Sequence, residues 1–370
     1  MQRVVHAANR AITRSRRLVV RRLHTLGGAR SASPARVAHL GYHRGVILTR
    51  RHVLIGAAAA IPAGALALGR ESGGSAPAAK PAERVVRAAR DVAIVVAAQA
   101  TVDGAGVKLH RAIGARLPML DPFLLLDEFQ SDDPDDYAAG FPDHPHRGFE
   151  TVTYMIHGAM EHRDSVGNRG RLGPGSAQWM TAGHGIVHSE MPKQERGLMW
   201  GFQLWVNLPA RDKMIRPRYQ DIPPERVPEV ALDRARVRVV AGSAFDVRGP
   251  VDGIDVDPLF IDVALERGGT VTHPLPAGHN AFAFVTDGAA RIGASGREVR
   301  RGELAVLAPT APLQGDFVAA AASDGARIIV AAGRPLGEPV ARRGPFVMNT
   351  NEEIRRAFED YRTGRLTDGA

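Results

Sequence analysis

From about residue 87 onward the chain is a succession of short apolar runs broken by turns. Val92–Ala97, Phe123–Phe129, Thr151–Ile156, Trp200–Val206, Val237–Val240, Leu259–Leu265, Ala281–Thr286, Leu304–Leu307 and Arg327–Ala332 read as strands. Asp103-Gly104, Gly173-Pro174-Gly175 and Asp287-Gly288 mark turns between them. Many closely spaced strands with few helical patterns predict an all-β architecture of sandwiches or barrels. One helix is predicted, over residues 351–363. Thr350 and Glu353 have capping-box spacing, and Ile354, Phe358 and Tyr361 share a face. It is expected to brace the barrels. The Pro- and charge-rich stretch 216–228 reads as a connection between two halves.

The first eighty residues follow a different pattern. Arg50-Arg51 precede a weakly apolar Ala/Gly run, Val53 to Leu68, interrupted by Pro62 and Gly64. Adjacent arginines, a modest apolar stretch and small-residue triplets at Ala65-Leu66-Ala67 and Ala76-Pro77-Ala78 fit a twin-arginine export signal. The run is too short and weak for a stable membrane span. Residues 1–45 are long for the front of such a signal, so a natural start near Val46 is expected. The Arg-rich, acid-poor 1–48 stretch also fits an organellar transit peptide or a plain basic tail. The export reading places the protein in the periplasm or outside the cell; without a working signal it stays cytoplasmic.

Composition changes the picture twice. The net charge is +9, but residues 1–78 hold thirteen arginines and one acid, Glu71, leaving 35 basic and 38 acidic residues for the rest. The basicity belongs to the leader, so nucleic acid is not an expected partner. The chain has no cysteine. Disulfides, thiolate metal sites and cysteine nucleophiles are excluded, and any metal is held by His, Asp or Glu.

Two histidine motifs carry candidate chemistry: Asp143-His144-Pro145-His146 and Val187-His188-Ser189-Glu190. Residues two apart on a strand share a face, so His144 pairs with His146 and His188 with Glu190. Two strands presenting these pairs across a barrel interior supply three imidazoles and a carboxylate. With a divalent metal that set carries about +1, leaving room for an anionic ligand. Glu150 is the alternative carboxylate, since parity counted from His146 places it on the same face. Glu190 is the candidate base.

Phe141 to Tyr154, Gln178 to Gly183, His188 to Pro192 and Gln203 to Pro209 closely resemble the pirin family of bicupins. Leu120 to Phe129, Glu338-Pro339-Val340 and Gly344 to Thr350 extend the resemblance over roughly residues 87–365. It implies two cupin barrels of the jelly-roll, double-stranded β-helix type: 87–225 with metal, and 226–349 without. The leader and linker occupy 1–86, and the helix and tail 350–370. It implies His144, His146, His188 and Glu190 as ligands, with iron the usual metal and manganese, nickel, cobalt or copper as alternatives. Glu150 then orients an imidazole, and His162 is a supporting residue. His184 departs from the arginine expected at that place.

By the same resemblance the activity is that of a quercetin 2,3-dioxygenase acting on a flavonol-type aromatic with O2, with the protein a monomer. Phe141, Phe149, Met155 and Trp179 are expected to line the pocket. A non-enzymatic metal- or redox-sensing regulator that binds other proteins is the alternative. His273 and His279 lack His-x-His spacing, so no metal is expected in the second cupin.

Overall fold

A computed structural model describes residues 88–308 and 315–368. The paired arginines, the apolar run and the small-residue triplets lie outside the described residues. Among the described residues no helix is long and apolar enough to cross a membrane.

Two antiparallel sheets form the first barrel. A seven-stranded sheet runs in the order 218–222, 177–181, 149–157, 199–207, 123–131, 107–113, 99–103. A four-stranded sheet runs 141–146, 186–192, 160–164, 169–172. The second barrel is built on a nine-stranded sheet with 280–292 and the long strand 315–333 at its centre.

The register of the seven-stranded sheet explains why its central strands are buried on both faces. Tyr154, Val152 and Glu150 stand opposite Phe202, Leu204 and Val206 on one face; Thr153, Thr151 and Phe149 stand opposite Gln203, Trp205 and Asn207 on the other. The first face packs against Phe260, Phe282, Phe284 and Ile329 of the second barrel, making one shared core. Burial of this apolar area is the main force joining the barrels. Polar pairs add orientation: Tyr154 donates to Asp262 at 2.7 Å, and Asp262 receives both Nε and Nη2 of Arg327 at 2.9 and 2.6 Å. The second face looks into the first barrel.

The inside of the second barrel is filled. Val237, Val239, Ile261, Val263, Ala283, Val285, Phe317 and Val330 are all buried in one cluster.

Each strand expected from the apolar runs falls within an observed strand. The 216–228 stretch is more than a connection, since Arg218–Ile222 adds an edge strand beside Ala177–Thr181. The helix spans Asn351–Arg362 with a complete Thr350/Glu353 capping box. Ile354 is buried, while Phe358 and Tyr361 stay partly exposed and set their rings around Phe346.

Sheet membership departs from chain order at both ends. Val92–Ala97 pairs with Glu303–Leu307 in the second barrel. Residues 340–348 return to the first barrel, where Val347 packs with Leu124, Leu125, Phe149 and Trp205. Two features fasten this return. Gly148 takes φ +86°, and a side chain there would meet the Val347 carbonyl oxygen at 2.0 Å. Lys213, 1% exposed, donates to the carbonyls of Gly148 and Val347 and to Asn207 Oδ1 at 2.7, 3.2 and 2.7 Å. Burial pulls its pKa down to about 8.

Candidate metal centre

The two histidine strands are hydrogen-bonded neighbours in the four-stranded sheet, rather than facing one another across the barrel. Their register sets His188 opposite His144 and Ile186 opposite His146. Alternation then turns all three imidazoles inward. Ring centroids are 4.4 Å apart for His144–His188, 4.7 Å for His144–His146 and 5.0 Å for His146–His188. One ring nitrogen from each lies within 4.8 Å of the others, and among the described residues these three form the one such group.

Two of the rings are oriented from behind. His144 Nδ1 lies 2.8 Å from the Pro142 carbonyl oxygen, and His146 Nδ1 lies 3.3 Å from that of Pro345. A proton on each Nδ1 leaves Nε2 as a lone pair. Burial, then the neighbouring His144, pushes the pKa of both His146 and His188 well below the ordinary histidine value. Both are therefore neutral donors near neutral pH. His146 Nε2 and both nitrogens of His188 are buried without a hydrogen-bond partner. Orphaned imidazole nitrogens converging on one point fit a divalent first-row metal.

Glu190 lies two residues beyond His188, past a bulge in the ladder. Its Oε1 accepts from Thr153 Oγ1 at 2.8 Å and its Oε2 from Gln203 Nε2 at 2.7 Å. Gln203 is itself held, its Oε1 accepting from Trp205 Nε1 at 3.2 Å. The carboxylate is therefore held by a short chain of side chains on the inward face, and it lies outside the group of three whose ligand atoms are within 4.8 Å of one another.

Glu150 faces the other way, which corrects the parity count. The strand ends at His146, Gly148 turns the chain, and Phe149–His157 begins in a different sheet. Alternation does not carry across that turn. Glu150 stands opposite Thr181 and Val206 on the outward face and accepts from Thr181 Oγ1 at 2.6 Å. It neither meets nor orients an imidazole.

Burial raises the pKa of Glu150 to about 7 from 4.5. The folded state thus holds this proton more tightly than the unfolded chain does. Its stabilising contribution is complete below pH 4.5 and is lost as pH rises through 7. Glu150→Gln is expected to remove this slope, gaining on the wild type by about 3 kcal/mol between pH 5 and 8. Urea unfolding of both proteins across that range checks it.

A cavity of about 570 Å³ opens beside the imidazoles, lined among others by His144, His146, Gln203, Trp205, Phe141 and Arg342. Of the expected apolar lining, Phe141 is present. Phe149 instead supports the His146 ring at 5.0 Å, and Met155 is buried in a neighbouring cluster. Trp179 belongs to the shared core between barrels. His162 is fully buried, stands opposite Glu190 and tilts against Tyr219 at 4.5 Å. His184 is a loop residue whose carbonyl accepts from Arg147 Nε. In the second barrel, His279 is bound to the carbonyls of Asp257 and Ala277, and His273 lies against Phe245.

The family models Pirin and Pirin C-terminal cupin domain match residues 106–206 and 260–367. A pirin-like protein of Caulobacter vibrioides is 47% identical over 280 residues, covering 75% of this chain and 99% of its own length. Human pirin is 40% identical over 282 residues, covering 75% and 93%. Among solved structures, a quercetin 2,3-dioxygenase from Acinetobacter baumannii superposes with a TM-score of 0.69 at 33% identity, covering 75% and 99%.

Proposed function

The chain belongs to the pirin family, and from that premise we propose that it is a metal-dependent dioxygenase of the quercetin 2,3-dioxygenase type. The observation that carries the reading is the trio of inward imidazoles, with His146 Nε2 and both nitrogens of His188 unpartnered, beside a cavity large enough for an aromatic ligand. His144, His146 and His188 hold the metal, and Glu190 completes the set; iron is the metal the family resemblance favours. When bound, the metal supplies Lewis acidity toward a substrate hydroxyl and a redox partner for O2.

The chain's own residues do the rest. Glu190 takes the proton of the substrate hydroxyl, and its bonds from Thr153 and Gln203 hold it in the geometry for that transfer. Phe141 and Trp205 present apolar surface to an aromatic ring. The test is oxygen uptake by the metal-loaded protein over a panel of flavonols and catechols. Stoichiometric metal with no uptake on any of them would favour a metal-sensing, protein-binding role instead.

Export by the twin-arginine route belongs to the same proposal. Its support is Arg50-Arg51 ahead of a weak apolar run and the concentration of positive charge before residue 79. Changing both arginines to lysine is expected to retain the protein in the cytoplasm, as read by cell fractionation; unchanged secretion would dismiss the signal.

A further inference from the structure

Two guanidinium groups line the cavity, and they differ in what they have left to give. Arg111 is committed. Its Nε and Nη2 grip Asp127 at 2.8 and 2.7 Å, and Nη2 also reaches Asp103 at 2.8 Å. Arg342 comes from the returning C-terminal segment, where it donates Nη1 to the Leu124 carbonyl at 2.9 Å. It has no further hydrogen bond and no carboxylate within ion-pair distance among the described residues. Most of its five N–H donors are uncommitted.

The placement of Arg342 is firm. Its guanidinium lies over the indole of Trp205, 4.6 Å from the ring centroid. That indole meets the His146 ring at 5.3 Å and donates its N–H to Gln203, which in turn holds Glu190. A cation therefore stands one aromatic ring away from the imidazole cluster, on the wall of the same cavity. Asp127 and Asp103 attract it from a distance, but no acid among the described residues pairs with it. Asp127 is gripped by Arg111, Asp103 shares that partner, and Asp143 is exposed on the histidine strand without an ion pair among the described residues.

We propose that Arg342 is a specificity-determining residue that binds a carboxylate on the substrate, separate from the oxygens that face the imidazoles. The proposal rests on the reading of this cavity as the substrate site and adds the charge of the ligand it selects. A planar guanidinium fork suits a carboxylate, and Arg342 is exposed on the cavity wall where one can reach it. The favoured ligand is an aromatic acid whose hydroxyl groups point to the metal side while its carboxylate points to the C-terminal segment.

The probes are 3,4-dihydroxybenzoate and its neutral amide, 3,4-dihydroxybenzamide. Each is titrated calorimetrically, without oxygen, into the metal-loaded protein. The carboxylate is expected to bind about ten- to a hundredfold more tightly, and the preference should shrink as salt is added. Arg342→Gln should bring the ratio close to one, and Arg342→Lys should leave an intermediate ratio, since a charge remains without the fork. Metal content and melting temperature show whether the variants fold.

Equal affinity of the two probes for the wild type overturns the proposal. So does a preference that survives in Arg342→Gln, and so does failure of both probes to bind. Failure of the parent reading looks different. A carboxylate preference that depends on Arg342, with no oxygen uptake on any substrate, removes the dioxygenase and keeps the anion site. Turnover of neutral flavonols with no carboxylate preference does the reverse.

Discussion

Replacing His188 with alanine is expected to give a folded protein that retains less than about a tenth of the wild-type metal, because a direct ligand is lost where even a supporting contact costs 10–100-fold. His188 touches both other rings and has no other partner for either nitrogen. In the metal-free state it is a buried polar group without a hydrogen bond, so removing it costs the fold little beyond the cavity left behind. Metal addition should therefore raise the melting temperature of the wild type and leave that of the variant unchanged. Elemental analysis of both proteins, purified in parallel, checks the stoichiometry. His279→Ala is the control. Its ring is bound to carbonyls of the second barrel, and metal content should not change.

Glu190→Gln is expected to lower turnover by at least about 100-fold, the lower end of what a positioned acid or base contributes. The amide keeps the shape but removes both the charge and the base. It also turns an N–H donor toward Gln203 Nε2 or Thr153 Oγ1, where the carboxylate accepted. Metal affinity should fall as well, since a neutral group replaces a negative one beside a cation. Glu150→Gln should change metal content and turnover by no more than a few-fold, because that side chain points out of the barrel toward Thr181. Oxygen uptake and metal stoichiometry on the two variants separate the roles. An empty Glu150→Gln with an intact Glu190→Gln would exchange them.

Much of the candidate centre was legible because its chemistry is local. His-x-His and His-x-Glu spacing on strands puts each pair on one face whatever the rest of the fold does. The error over Glu150 came from extending that count through Gly148, where the chain leaves one sheet for another. Trp179 was misplaced because a strand buried on both faces shows no alternation to say which side is which. Gln203 did leave a signal: it is a polar residue in an apolar strand, at the parity of Trp205 rather than of Leu204.

Arg342 and Pro345 left none that could be read locally. Their relation to His146 is made by tertiary folding, with Pro345 lying 199 residues further along the chain. The apolar interior of the second barrel was visible in outline, since Val237–Val240, Leu259–Leu265 and Ala281–Thr286 are apolar at the parity of Val237, Ile261 and Ala283. Inward polar positions of the kind found at Thr153 and Gln203 are missing from them.

The return of residues 340–348 to the first barrel bears on how the protein can be cut and made. A fragment that ends after the first cupin would contain every proposed ligand yet lack Pro345, Val347 and Arg342, and with them the backing of His146 and part of the cavity wall. On the ribosome the histidines emerge long before the segment that steadies them, so the pocket is finished only after the second barrel has been synthesised. The unit that evolution can duplicate, fuse or shorten without loss of the centre is thus the pair of barrels together with their closing segment, and neither barrel alone is a module.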